Sequence, residues 1–173
     1  MSRLYNVLFL CTGNSARSIL AESILKKDGA GRFQAFSTGS QPKGAVNPFA
    51  LTTLKALEYP ADGFRSKSWE EFAQLGAPAM DFVFTVCDQA AGEICPIWPG
   101  HPITAHWGIP DPAAVDGSLP EAMLAFREAF RMLERRIRLF LPIRFRELDR
   151  GAAERQVAEI GQTRQDTTAE ASS

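Results

Sequence analysis

Apolar positions along this chain follow two rhythms, and their alternation sets out the architecture. Tyr5 to Leu10 is a nearly continuous apolar run of strand formers, the pattern of a strand buried on both faces of a parallel sheet. A loop with Gly13 and Asn14 follows. Ser18 then opens a helix in which Leu20, Ala21, Ile24 and Leu25 share a face until Gly29. Phe33 to Thr38 reads as a second strand, Asn47 to Leu57 as a second helix, and Ser68 to Phe72 as a short one. Asp81 to Val86 is the third strong strand. From Asp88 to Pro112, repeated Gly and Pro limit regular structure to a short strand around Ile103 to His106. Ser118-Leu119-Pro120-Glu121 is a capping box with proline in the first turn, and it starts a helix running to about Leu141. Phe126, Phe130, Leu133, Ile137 and Phe140 form its apolar stripe, while Arg127, Arg131, Glu134, Arg135 and Arg138 line the other side. Beyond Glu147 apolar anchors are few. Residues 147–173 are therefore expected to be a mobile or frayed tail, with 1–146 as the folded domain.

Alternating strands and helices predict an α/β fold: a single three-layer domain with a small, about four-stranded parallel sheet flanked by helices. Such sheets bind ligands at the carboxyl ends of their strands, where Cys11, Cys87 and the segment before Asp111 all fall. Composition narrows the partner. A chain of 173 residues with a net charge of -1 fits one domain and offers no broad field for nucleic acid or anionic lipid, so an anion must be held by a local, small-molecule site. The N-terminus lacks the plan of a secretory signal, and no apolar run reaches membrane-spanning length. Cytoplasmic residence is the expectation. In that compartment three cysteines point to catalysis or redox chemistry rather than a permanent disulfide framework.

Cys11-Thr12-Gly13-Asn14-Ser15-Ala16-Arg17-Ser18 supplies that chemistry. It places a thiol at a strand end, an arginine six positions later, and a helix immediately beyond. Inward N–H groups of a tight loop make an anion nest, the helix N-terminus adds positive partial charge, and a guanidinium grips two oxyanion oxygens. The same field favours thiolate, the nucleophilic form, and Ser18 is placed to donate to the sulfur. A cysteine acting as a small buried hydrophobe beside an unrelated arginine is the plainer reading, but it leaves the register of strand, loop and helix unexplained.

With Val7-Leu8-Phe9-Leu10 before it and Ala21-Glu22 after it, this loop resembles that of the low-molecular-weight protein tyrosine phosphatase family, most of all the thioredoxin-coupled arsenate reductases of that fold. Further similarity lies in Ser37-Thr38-Gly39-Ser40, Arg65-Ser66-Lys67-Ser68, Thr85-Val86-Cys87-Asp88 and His106-Trp107-Gly108-Ile109-Pro110-Asp111-Pro112, over roughly residues 4 to 140. The resemblance implies that Asp111, stiffened between two prolines, protonates the leaving oxygen. It also implies a relay. Cys11 attacks arsenate, Cys87 attacks the Cys11 adduct and releases arsenite, Cys95 takes over the disulfide, and an external thioredoxin- or glutaredoxin-like thiol reopens it. No bound cofactor and a monomer are expected.

The rival is a phosphotyrosine phosphatase using Cys11 as nucleophile and Asp111 as acid. Against it, Ala113 stands where those phosphatases typically carry an aromatic residue. Ala16 replaces a loop cysteine of some reductases, and the Cys87 to Cys95 stretch is longer than in some, which bears on the reducing partner. His101 and His106 lack metal-ligand spacing, so no metal is expected. Trp98 and Trp107 flank the site as packing elements or a docking surface. Glu22, Asn14 and Ser37 resemble positions where some reductases hold a monovalent cation, although Glu22 equally suits a first-turn helix acid.

Overall fold

A computed structural model describes residues 3–87, 98, 101–115 and 117–163. Strand β1 (Tyr5–Cys11) has strands on both sides, which explains its unbroken apolar run. It pairs in parallel with β2 (Phe33–Gly39) and with β3 (Phe82–Thr85), and β3 pairs in parallel with β4 (Ile103–His106), giving the order β2-β1-β3-β4. The order reverses between β1 and β3, so the crevice for a ligand opens beyond the ends of those two strands.

Five α-helices are described: α1 (Arg17–Asp28), α2 (Pro48–Ala56), α3 (Glu70–Ala73), α4 (Leu119–Phe140) and α5 (Arg150–Gly161). Side chains alternate across β1, and the two faces find different cover. On one face Phe9, Phe84, Trp107 and Phe140 pack as a ring cluster, with the Phe84 and Trp107 rings stacked at 3.8 Å. This face lies under α4, which also packs on α1. On the other face Phe36 meets Phe72 of α3 edge to face, and Trp69 meets Trp98. Helix, sheet and helix layers thus form as the alternation predicts. All five residues of the predicted α4 stripe are buried. Its capping box is present: the Ser118 hydroxyl accepts the Glu121 N–H at 3.3 Å and bonds the Glu121 carboxylate at 3.1 Å.

The tail departs from expectation. Arg150–Gly161 is a helix capped by Asp149, whose carboxylate accepts the Ala152 N–H at 2.7 Å. Ala153, Val157 and Ile160 are buried against β4 and Trp107. Three apolar residues spaced four and three apart suffice here because the edge strand and a large indole supply the rest of the contact surface. The frayed-tail expectation is therefore wrong for 150–161; residues 164–173 lie outside the described residues.

Candidate active site

The loop after β1 is shaped from outside. Gln41 N–H donates to the Thr12 carbonyl at 2.9 Å, Lys43 N–H to the Gly13 carbonyl at 3.0 Å, and Asn47 N–H to the Ser15 carbonyl at 2.8 Å. The Ser66 hydroxyl adds a second bond to the Gly13 carbonyl at 3.0 Å. These donors hold the Thr12, Gly13 and Ser15 carbonyls, so the bonds that shape the loop are made through its oxygens, as an anion nest requires. Helix α1 starts at Arg17 without any side-chain cap, so its N-terminal field is unblocked.

Asn14 is the buried keystone. Its φ of 45° is left-handed, a conformation asparagine tolerates better than most residues. Its amide donates to Ser18 Oγ at 2.8 Å and Ser37 Oγ at 3.0 Å, and its oxygen accepts the Lys67 N–H at 2.9 Å. Ser37 in turn donates to Glu22 Oε1 at 2.5 Å. Burial raises the Glu22 carboxyl above its usual range, against the pull of Ser37 and the Lys67 charge, and burial lowers Lys67. Asn14, Ser37 and Glu22 do come together, as the cation comparison suggested, and Lys67 brings its own positive charge to Glu22. Among the described residues no His, Cys, Asp and Glu cluster suits a metal ion.

A pocket of about 340 Å³ opens over this loop, lined by every residue from Cys11 to Arg17 together with Gln41, Lys43, Asp111 and Ala113. Arg17 donates to the Ile109 carbonyl at 3.1 Å, and its guanidinium lies 3.6 Å from the Asp111 carboxylate. The other Asp111 oxygen accepts the Ala113 N–H at 3.0 Å, which fixes the carboxyl at the rim. Cys87 follows β3 and is buried against Cys11, with no disulfide joining the two. The Thr12 N–H donates to Cys87 Sγ at 3.3 Å.

This contact changes the acid-base state. The Cys11 thiol is pushed far above its ordinary range, first by its hydrogen bond with Cys87 and then by burial, while Arg17 and the Thr12 amide pull it down. The loop field alone predicted a resting thiolate; the adjoining thiol and dry surroundings outweigh it. Cys95 lies outside the described residues, as does Asp88. Trp107 is fully buried, donating from Nε1 to the Val157 carbonyl at 2.9 Å, so it packs rather than docks. Trp98, buried against Trp69, does the same. His106 Nδ1 bonds Thr85 Oγ1 at 2.7 Å.

Sequence reasoning missed Gln41, Lys43 and Asn47, whose contribution is mostly backbone and leaves no side-chain signature. It noticed Ser66 and Lys67 only as part of a resembling segment.

These features sit on the fold of one family. Residues 6–154 match the family described as low molecular weight phosphotyrosine protein phosphatase, and the chain belongs to it. Within that family it is similar to the arsenate reductase of Halalkalibacterium halodurans, at 34% identity over 134 residues, covering 78% of this chain and 93% of the relative. A solved arsenate reductase in the phosphate-binding state shares 25% identity at a TM-score of 0.67, covering 80% of this chain and 98% of that one. The thioredoxin-dependent arsenate reductase of Corynebacterium glutamicum shares the fold at 22% identity and a TM-score of 0.54, covering 80% of this chain and 64% of that one. Among the described residues no helix is long and apolar enough to cross a membrane.

Proposed function

We propose that this protein is an arsenate reductase that passes two electrons through thiols. One observation carries the reading: a second buried thiol, Cys87, touches the loop cysteine Cys11. A hydrolase needs water at the second step, whereas reduction of As(V) needs a second sulfur. Arsenate sits on the loop amides and Arg17, and the Cys11 thiolate attacks arsenic. A hydroxyl of arsenate leaves as water with the proton of Asp111. The Cys87 thiolate then attacks Cys11 Sγ. The S–S bond forms, the S–As bond breaks, and its electron pair stays on arsenic, which departs as arsenite. Cys95 attacks Cys87, frees Cys11, and leaves a Cys87–Cys95 disulfide for a thioredoxin-like dithiol of the cytoplasm.

The chemistry orders the ionisations. The Cys87 hydrogen bond is the largest influence holding the Cys11 proton and the Arg17 charge the largest one opposing it, so the nucleophile forms under the field of Arg17 once that bond is given up. Ala113 at the rim is small, and among the described residues that line the pocket none is aromatic, which offers a phosphotyrosine ring no wall there. The deciding experiment is Cys87→Ser. Arsenite production with thioredoxin should fall by about 10³-fold or more, while hydrolysis of a small aryl phosphate, which needs only Cys11, Arg17 and Asp111, should stay within about threefold. Arsenite production that survives the substitution excludes the relay.

A further inference from the structure

Arg136 breaks the pattern of α4. It falls beside the predicted charged side, yet it is 2% exposed. Among the described residues no carboxylate pairs with it, and burial lowers its pKa. Its guanidinium instead bonds backbone oxygens: Met132 at 3.4 Å within its own helix, Gly108 at 3.5 Å, and Thr163 at 3.2 Å, just beyond α5. A buried cation is costly to hold, so its partners mark what the fold gains from it.

One of those partners, Gly108, belongs to the segment that reaches the candidate site. Gly108 precedes Ile109, whose carbonyl holds Arg17, and Asp111 follows two positions later. From the same side α5 closes on the segment: Trp107 Nε1 donates to Val157, and Gly161 packs so tightly that an added Cβ would lie 2.1 Å from the His106 carbonyl oxygen. We propose that Arg136 and α5 form a brace that positions the Trp107–Asp111 segment, and through it Arg17 and Asp111, with Arg136 as the positioning residue. The catalytic part rests on the functional reading above; the brace itself does not.

Two substitutions attack the brace from opposite sides. Arg136→Met removes the tie to Gly108 and Thr163, and Gly161→Val forces α5 away from His106 while leaving Arg136 intact. In the full chain, each should speed amide hydrogen exchange over 107–113 by about tenfold and leave the β1 and β2 amides at parental rates. Each should also weaken inorganic phosphate binding about fivefold and lower kcat for arsenate about tenfold. Arg136→Lys keeps a cation that reaches one carbonyl, and it should recover part of both losses. Should Arg136→Met or Gly161→Val prove insoluble, Arg136→Lys and Gly161→Ala are read by the same exchange measurement. Unchanged exchange over 107–113 overturns the brace, and so does acceleration spread evenly through the sheet. Exchange and phosphate binding need no arsenate turnover, so a parent inactive toward arsenate would sink the functional reading without touching this test.

Discussion

Cys11 shows how a residue's chemistry depends on one neighbour that local sequence does not place. The loop motif singled out Cys11 as the candidate nucleophile, because thiol, arginine and helix start share a short stretch. The effect of Cys87 was not legible, since the two cysteines meet only through the pairing of β1 with β3. Cys87→Ala should lower the Cys11 pKa, because the largest influence raising it is gone. Alkylation rates of Cys11 followed against pH should then rise at least one unit earlier than in the parent; coincident profiles would contradict the contact. Asn14 is the corresponding structural case. Its place in the loop was readable, but its three side-chain bonds reach residues 18, 37 and 67. Asn14→Ala leaves those buried groups unmatched and should cost about 2–4 kcal/mol in urea unfolding, with phosphate affinity falling in parallel.

Elements were read well where their own residues decide them and poorly where a distant surface does. The four strands and α4 carry strong periodicity and caps, and they stand where the pattern put them. Helix α5 carries only Ala153, Val157 and Ile160, a stripe too thin to register until β4 and Trp107 are in place. The loop buttress was hidden for a related reason: the amides of Gln41, Lys43 and Asn47 act regardless of side chain. Gly39 gives that buttress a measurable handle. It ends β2 so close to the loop that a Cβ there would lie 2.5 Å from the Thr12 carbonyl oxygen and 3.0 Å from Asn14. Gly39→Ala should weaken phosphate binding about tenfold by calorimetry, through displacement of the loop, with the far-UV circular dichroism unaltered.

At the scale of the whole molecule, a net charge of -1 conceals a site lined by two cations, Arg17 and Lys43, against the one carboxylate of Asp111. Stability should carry the mark of the thiol pair. Cys11 keeps its proton in the native protein at pH values where the unfolded chain has lost it, so unfolding free energy should decline as pH rises through about 8.5 and above. Tyr59, raised by burial and by its bonds to Asp28, extends the decline at higher pH, while Lys67, lowered by burial, works in the opposite sense. The difference between parent and Cys11→Ser isolates the thiol. Denaturation curves under reductant should diverge between neutral and alkaline pH, with the Ser variant losing less; parallel curves would deny the shift. The outward pull on the loop carbonyls has a kinetic corollary. A cradle assembled during folding has no chain to organise when a guest arrives, so small tetrahedral ions of like charge should load at similar, rapid rates, and selection among them should fall to the sulfur chemistry that follows.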